Sequence, residues 1–446
     1  MTKNLQVLGG GPAGLAIAYF AKQKALDLTL FEAEREAGGN CRTITELING
    51  DYFRYDTGAH RLHDKDEAST DLVKSLLGDD LLSVEAPSQI IYKTKKIDFP
   101  LSPFDLLNKL GPVTFMKAAS EILAQRAKTG KVNQSANFEE KVYRDYGRIL
   151  ADAFLTNYSE KLWGKPCDQL STTISGGRLK GLNLKTFIIE QFQGKKAKTK
   201  HLDGSFYYPR LGYGMIVSAL AEALSKEELK TSSPVTRLEH EGDLITKIHT
   251  TGGRSMNAGQ IASTLPLNLM LRLLHPKPPS EIADIANSMA FRDVFLVILI
   301  LDKQRINTNA TQYFPESKYA FTRIYEPKNR SMEMAPKDKT SLVIEVPMVA
   351  GSNLPGKQFI DQQVIKPLVK LKMFKTDQVI TTRTHLLKHA YPVLEVGVEE
   401  KVEHLTNYLS GFTNLHLAGR NGLFRYNHLH DQLMIGRALV DRLAER

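Results

Sequence analysis

A glycine-rich turn near the amino terminus carries the clearest chemical signal in the chain. Gly9, Gly11 and Gly14 have the spacing GxGxxG, between the apolar residues 5–8 and a helix-like segment at residues 15–21. In such a turn the first glycine permits the bend, the second lets the backbone approach a phosphate, and the third allows close packing of helix on strand. Backbone amides at the positive end of the helix then face an anion. The pattern predicts a pyrophosphate-binding turn.

The residues after this turn indicate which ligand carries the pyrophosphate. Glu32 follows the apolar residues 28–31, where a carboxylate can accept both hydroxyls of an adenosine ribose. The pair Gly38-Gly39, with Arg42 close behind, resembles the flavoprotein extension that wraps FAD, although an ordinary turn with a solvated arginine is the alternative. The sequence therefore favours FAD over NAD. The predicted FAD contacts in this part of the chain are Gly9, Gly11, Pro12, Ala13, Gly14, Glu32, Gly38, Gly39, Asn40 and Arg42.

These residues must be positioned by a large α/β protein of 446 residues. We expect a Rossmann-like FAD-binding domain interleaved with a mixed helix/sheet substrate domain, an α/β fold with α+β insertions. The predicted FAD-binding segments are residues 1–65, 201–266 and 389–446, and the predicted substrate-domain segments are residues 66–200, largely helical, and 267–388. Helices are expected around residues 72–77, 115–127, 138–154 and 215–224 and from about 433, and strands at 88–92, 96–99, 294–301, 341–346 and 415–418.

Charge and cysteine content argue against a nucleic-acid-binding protein, a disulfide-rich protein and a metalloprotein. The net charge is +10, but the basic residues are scattered apart from residues 195–200, which are typical of a solvated loop, so nucleic acid is not an expected partner. Excess positive charge in a cleft would equally suit a doubly phosphorylated small molecule. Cys41 and Cys167 form no CxxC pair, so neither a disulfide framework nor a metal site is predicted.

The expected lack of a disulfide framework, a signal peptide and a membrane span makes the cytoplasm the default location. The apolar run at residues 294–301 is too short to span a bilayer and is typical of a buried strand. The first strand begins almost at once, so we expect no signal peptide and no transmembrane segment. The oligomeric state is left open by the sequence.

Five further blocks give the chain a family resemblance. Its amino-terminal part resembles the amine oxidase and protoporphyrinogen oxidase superfamily, and the later blocks resemble UDP-galactopyranose mutase, a flavoenzyme of the same fold group. The five blocks are GAHRLH at 58–63, YSEKLWG at 158–164, FTRIYE at 321–326, AYPV at 390–393 and GRNGLFRY at 419–426. Their order along the chain matches that of the mutase.

The resemblance implies roles for several residues. It places His60, Gly419 and Arg420 near the flavin. The residues implied around the diphosphate and nucleotide are Arg178, Arg323, Arg420, Tyr391, Tyr426, Tyr158 and Trp163. The candidate catalytic residues are Arg420, Arg323, Arg178 and His60. Guanidinium groups suit a diphosphate because they bind its oxygens in pairs. Tyr158 and Trp163 could equally be core residues, and Glu326 could hold Arg323 in a structural ion pair.

The activity that the resemblance implies is a sugar isomerisation. In the mutase, the N5 atom of reduced flavin attacks the anomeric carbon, forms a sugar adduct and expels the nucleotide diphosphate, and the sugar recloses with a new ring size. NAD(P)H is a possible reductant. This chain departs from the mutase pattern at Asn427-His428 and Leu394, so the implied substrate is a nucleotide diphosphosugar of surface-polysaccharide metabolism whose base and sugar stay open. The alternative is an FAD oxidase or desaturase that acts on an amine or an apolar substrate.

Overall fold

The computed structural model describes residues 4–129, 135–175 and 205–445. Arg178, a predicted catalytic residue, lies outside these residues. The helices in chain order are α1 (Pro12–Gln23), α2 (Glu67–Leu77), α3 (Pro103–Leu110), α4 (Pro112–Thr129), α5 (Phe138–Phe154), α6 (Thr156–Trp163), α7 (Gly214–Glu222), α8 (Leu267–Leu273), α9 (Ser280–Ser288), α10 (Lys357–Phe359), α11 (Lys366–Lys370), α12 (Val398–Ser410) and α13 (Leu429–Ala444). A π-helical stretch, Ile360–Ile365, joins α10 to α11.

In the part of the chain that the structure describes, the strands form five sheets, and the α/β class is confirmed. The strands are β1 (Leu5–Leu8), β2 (Leu28–Phe31), β3 (Thr43–Ile48), β4 (Asp51–Asp56), β5 (Leu81–Glu85), β6 (Ser88–Tyr92), β7 (Lys95–Phe99), β8 (Ser205–Pro209), β9 (Leu229–Lys230), β10 (Val235–Glu241), β11 (Leu244–Thr250), β12 (Ser255–Asn257), β13 (Gln260–Ser263), β14 (Leu274–His275), β15 (Phe291–Leu301), β16 (Thr311–Tyr313), β17 (Arg323–Tyr325), β18 (Thr340–Val349), β19 (Val379–Pro392) and β20 (Leu415–Leu417). Three smaller sheets are β12-β11-β10-β14, β3-β4 and β5-β8.

The first large sheet is parallel and brings together distant parts of the chain. Its order is β20-β13-β1-β2-β9, so strands from the beginning, middle and end of the sequence lie side by side. All four strand pairs are parallel. Helix α1 connects β1 to β2 and buries the small residues of its inner side against the sheet. The strand–turn–helix–strand order read from the sequence is therefore the order in the structure.

The second large sheet has the order β19-β15-β18-β17-β16-β6-β7. Every residue of β15 is buried, as expected of a strand covered on both faces. Alternate side chains of β15 enter two different cores: Leu296 and Ile298 belong to one, and Val297 and Leu299 to the other. Because the side chains on both faces of β15 are buried, the apolar run that predicted this strand is not interrupted by polar residues.

Helices α3 to α6 lie beside this second sheet, where a largely helical stretch was predicted. Helix α5 is kinked at Gly147, which has a φ of +72°. The predicted carboxy-terminal helix begins at Leu429, earlier than expected, because Asp431 accepts a hydrogen bond from the His428 amide and caps an additional turn. Among the described residues, no helix combines the length and apolar character needed to cross a membrane.

Candidate functional site

The carboxyl ends of four parallel strands meet at one edge of the first sheet. Gly9 follows β1, Glu32 follows β2, Thr264 follows β13, and Gly419 lies just beyond β20. The Thr264 hydroxyl donates to the backbone oxygens of Leu8 and Gly9 at 3.0 and 3.1 Å, which joins two of these strand ends. This edge is where open α/β sheets bind their ligands.

The three glycines of the first turn differ in what surrounds them. Gly9 has a φ of +99°, a conformation that disfavours other residues. A Cβ atom added at Gly14 would lie 1.9 Å from the Gly9 carbonyl oxygen, so this position allows helix and strand to pack closely. A Cβ added at Gly11 would meet nothing within 4 Å. The space beside Gly11 is therefore open to a ligand.

The groups around this space fit a dinucleotide. No side chain caps the amino terminus of α1, so its backbone amides and positive dipole end remain available to a phosphate. The buried Glu32 carboxylate accepts hydrogen bonds from the amides of Gly10 and Glu34 at 2.7 and 2.8 Å. These bonds hold the carboxylate at the end of β2, where it borders the cavity described next.

A cavity of about 910 Å³ runs from this edge to helices α3 to α6. The predicted site residues that line it are Gly11, Pro12, Ala13, Glu32, Gly39, Asn40, His60, Tyr158, Trp163, Arg323, Tyr391, Gly419, Arg420 and Tyr426. The structure thus brings together residues from all five resemblance blocks and from both glycine turns.

Four predicted cofactor residues do not line the cavity. Gly9 and Gly14 lie behind the turn, where they serve its geometry. Gly38 packs against Arg42 and Val217, and a Cβ atom there would lie 2.9 Å from each side chain. The Arg42 guanidinium is 3.9 Å from the Glu36 carboxylate, and its contact with the cofactor stays a prediction.

His60 is half-buried beside the second glycine turn. Its Nε2 atom is 2.9 Å from the Asn40 carbonyl and 3.1 Å from the Thr57 carbonyl, so the geometry assigns the ring proton to Nε2. The ring stacks on Tyr213 with centroids 5.0 Å apart. Burial lowers the pKa of His60 below 6.5, which favours the neutral imidazole at neutral pH.

Arg420 joins two chain segments at the cavity wall. Its Nε and Nη2 atoms donate to the Asn427 carbonyl at 3.0 and 2.7 Å, and its Nη1 donates to the Ala390 carbonyl at 3.1 Å. The guanidinium carbon lies 5.7 Å from the ring centre of Tyr391 and 5.1 Å from that of Tyr426. Within the described chain these hydrogen bonds all go to neutral carbonyls, so the positive charge is not neutralised by them.

Three aromatic side chains form a cluster under Arg420. The Trp163 ring packs edge-on against Tyr391 at 5.8 Å and against Tyr426 at 6.0 Å between centroids. Trp163 is 4% exposed and also belongs to the main hydrophobic core. The two interpretations of this residue, core and site, are therefore compatible, since one face of the core is a wall of the cavity.

Arg323 is held by a carboxylate that the sequence did not identify. Its Nε donates to Glu345, and its Nη2 donates to the Tyr391 hydroxyl at 3.2 Å. Glu345 is the cross-strand neighbour of Arg323 in the β17–β18 pair. The suggested partner Glu326 is wrong. Glu326 is three residues from Arg323, an odd number, so the two side chains point to opposite faces of an extended strand. The Glu326 carboxylate instead accepts hydrogen bonds from the Thr340 hydroxyl and from the amides of Ile306 and Asn307.

Sequence reasoning also missed polar residues of the cavity wall. Arg61 donates to Ser88 and Thr311 and lies over the Phe206 ring at 5.1 Å. The sequence signal that could have identified Arg61 as a site residue is its position directly after His60. Other charged or ring-bearing residues that line the cavity and were not assigned to the site include Glu34, His63, Lys65, Asp145, Tyr146, Tyr213, Tyr313, Lys388, His389, His428 and His430.

One part of the cavity lining is apolar. We refer to it as the apolar arm, and it is lined by Phe99, Leu101, Leu106, Ile122 and Phe154. Strand β7 and helices α3, α4 and α5 each contribute to it. The cavity lining therefore combines polar residues, arginine and tyrosine among them, with a group of apolar residues.

Comparison with known proteins identifies the family. The model for the family described as flavin containing amine oxidoreductase matches residues 12–421. Mitochondrial protoporphyrinogen oxidase of Nicotiana tabacum is 26% identical over 259 residues, which are 53% of this chain and 50% of that protein. Coproporphyrinogen III oxidase of Staphylococcus aureus is 24% identical over 187 residues, 38% of each protein. The chain thus spans half the length or less of these curated relatives.

Two solved structures share the fold. Reduced UDP-galactopyranose mutase has a TM-score of 0.87 at 20% identity, and the match covers 100% of this chain and 94% of that one. A candidate protoporphyrinogen oxidase from Exiguobacterium sp. 255-15 has a TM-score of 0.77 at 19% identity, covering 100% and 99%. Because the family model matches most of its length, this chain belongs to the flavin-containing amine oxidoreductases and is a flavin-dependent enzyme.

Proposed function

We propose that this enzyme binds FAD and isomerises a nucleotide diphosphosugar in the manner of UDP-galactopyranose mutase. The observation that carries the proposal is the position of Tyr391 between two guanidinium groups. Arg323 donates to its hydroxyl at 3.2 Å, and Arg420 lies 5.7 Å from its ring centre. Two cations and a phenol on one wall form a site for a diphosphate.

The chain's own residues would act mainly on the leaving diphosphate. Reduced flavin, when bound, supplies the nucleophile for the anomeric carbon. As the glycosidic bond breaks, negative charge grows on the diphosphate, and Arg323, Arg420 and the Tyr391 hydroxyl stabilise it. The same contacts keep the diphosphate near the sugar, so that recombination is effectively intramolecular. Tyr426 and Tyr158 border the remaining space for sugar and base.

The cofactor itself would be held by the edge of the parallel sheet. Gly11, Ala13 and the amino terminus of α1 would contact the pyrophosphate, and Glu32 would contact the ribose. His60, neutral and fixed by the Asn40 carbonyl, would present an uncharged ring beside the flavin. NAD(P)H is the reductant that we propose, and the cytoplasm is the proposed location.

A ligand titration tests the substrate class. UDP, GDP and dTDP are added separately to the purified flavin-loaded enzyme while flavin fluorescence is recorded. We expect saturable binding of one diphosphate, and weaker binding by an Arg323→Ala variant. Arg425→Ala is the matched control because Arg425 is exposed. If none of the three nucleotides binds, the nucleotide-sugar proposal is wrong.

The apolar arm favours a second candidate, an oxidase of an apolar substrate. Phe99, Leu101 and Leu106 offer no partner to a sugar hydroxyl, but they suit a flat or aliphatic group. The two functions differ in the fate of the flavin. An oxidase is reduced by its substrate without air and reoxidised by oxygen, whereas a mutase turns over only with reduced flavin and leaves it reduced. Absorbance spectra during turnover separate the two candidates.

A further inference from the structure

The outer sides of α3 and α4 carry a group of exposed apolar side chains. Phe104 is 69% exposed, Val113 67%, Met116 65%, Leu123 62% and Leu107 36%. Within each helix these positions follow a spacing of three or seven residues, which places them on one side. We refer to the five residues as the α3–α4 apolar face. Large apolar side chains grouped in this way mark an interaction surface.

The inner sides of the same helices line the cavity. Leu106 of α3 is 1% exposed and Ile122 of α4 is 6% exposed, and both contribute to the apolar arm. The outer residues Phe104 and Leu107 are on either side of Leu106 in the sequence. The α3–α4 apolar face and the apolar arm are therefore separated by one layer of helix.

Lysine residues border the α3–α4 apolar face. Lys93, Lys95 and Lys96 are exposed in and beside the turn between β6 and β7, and Lys117 is exposed on α4. The Lys95 ammonium donates to the Lys109 carbonyl at 2.6 Å, which fixes this turn against the end of α3. The apolar surface thus has a positively charged margin, on a chain whose net charge is +10.

The acidic residues of this region are engaged in local hydrogen bonds. The Asp105 carboxylate accepts from the Asp98 amide at 2.9 Å, and the Glu121 carboxylate accepts from the Ile149 amide at 2.9 Å. The Asp98 carboxylate accepts from the Gln89 side chain at 3.3 Å. These three carboxylates keep their negative charge, but the four lysines of the margin outnumber them, so the margin presents a net positive charge to a partner.

We propose that the α3–α4 apolar face binds the surface of a bilayer that contains anionic phospholipid. Apolar side chains of an interfacial helix enter the boundary between headgroups and acyl chains, while neighbouring lysines meet the lipid phosphates. The helices would lie on the bilayer, since none in the described residues could cross it. A lipid surface is favoured over a protein partner because the apolar face matches the acyl-chain region of a bilayer and the cationic margin matches its phosphate headgroups.

Vesicle flotation of the flavin-loaded enzyme tests this inference. We expect binding to phosphatidylcholine vesicles that contain phosphatidylglycerol, and weaker binding to phosphatidylcholine alone. The double variant Phe104→Ser/Met116→Ser should lower the partition coefficient about tenfold or more. The matched control is Leu47→Ser/Val349→Ser, which removes two side chains that are 62% and 65% exposed elsewhere on the surface. This control should bind like the parent enzyme.

A charge variant separates the two contributions. Lys93→Glu/Lys96→Glu should abolish the preference for phosphatidylglycerol and the sensitivity of binding to salt. Failure to bind either vesicle, equal losses in the test and control variants, or concentration-dependent dimers that Phe104→Ser dissociates would each overturn the inference. Flotation requires no substrate and no turnover, so its outcome is independent of the proposed reaction.

Discussion

Glu345 lies directly opposite Arg323 in the antiparallel pair β17–β18 and accepts a hydrogen bond from its Nε atom. Glu345 is 2% exposed and also accepts from the Ala59 amide at 2.9 Å, next to His60. One buried carboxylate therefore fixes both an arginine of the cavity wall and the chain segment beside the cofactor edge.

Replacing Glu345 by glutamine should impair turnover more than it impairs cofactor binding. The amide keeps the shape of the side chain but loses the charge that orients Arg323, so we expect turnover to fall roughly ten- to a hundredfold. Glu326→Gln is the matched control, because Glu326 is equally buried but hydrogen-bonds away from the cavity. Turnover and melting temperature are measured for both variants. Equal activity losses would show that Glu345 acts only through stability.

Gly11 and Gly14 should respond differently to a side chain. Gly11 has a φ of −73°, which any residue adopts, and open space beside it, so Gly11→Val should fold and yet exclude the flavin pyrophosphate. Gly14→Val would place its Cβ atom 1.9 Å from a backbone oxygen and should unfold the amino-terminal unit. Flavin absorbance and circular dichroism are the measurements. A yellow Gly11→Val protein would contradict the assignment of this space to the cofactor.

Arg420→Ala should lower turnover on the order of a hundredfold, since its charge would act on the leaving diphosphate. Arg420→Lys keeps the charge but not the planar arrangement, and should recover part of the rate. The loss of bonds to the Asn427 and Ala390 carbonyls predicts some destabilisation as well. Flavin content, melting temperature and turnover are compared with those of Arg425→Ala. A stable, flavin-loaded and fully active Arg420→Ala enzyme would reject the catalytic role.

The stability of the enzyme should decrease as the pH falls below neutrality. Burial lowers the pKa of His60 in the folded protein below its unfolded value of 6.5, so the unfolded chain binds the proton first. The contribution of neutral His60 to the free energy of unfolding is complete above the pKa of His60 in the unfolded chain. It is lost as the pH falls through the pKa of His60 in the folded protein. Between these two pKa values, the free energy of unfolding decreases as the pH is lowered.

Urea unfolding at about pH 7.5 and about pH 5.5 measures this effect. His60→Gln has no ionisable ring, so the difference between the two free energies should shrink. His385 and His389, whose pKa values burial also lowers, maintain part of the slope. An unchanged difference in the variant would assign the pH dependence to other groups.

Local sequence patterns predicted the parallel sheet edge well, because Gly9, Gly11, Gly14 and Glu32 owe their positions to residues near them in the chain. The partner of Arg323 could not be found in the same way. Glu345 is brought opposite Arg323 by strand register, whereas the sequence offered only the local neighbour Glu326. Register depends on how whole strands pair and pack, which a single pattern does not encode.

The residues of the apolar arm also could not be assigned to a site from the sequence. Its residues come from β7, α3, α4 and α5, and each has an ordinary apolar environment in its own element. Leu106 and Ile122 are indistinguishable in the sequence from core residues. Only their arrangement around shared space gives them a role, so composition and periodicity predicted helices here but no binding surface.

Strand β20 closes one edge of the parallel sheet, and Gly419 after it packs close to Ala13 and Thr264. During synthesis on the ribosome, β1 and β13 emerge long before β20. The nascent chain therefore exposes an unpaired edge along β13, the kind of surface that invites aggregation. A cofactor that contacts the turn after β20 would be bound completely only once this strand has paired with β13.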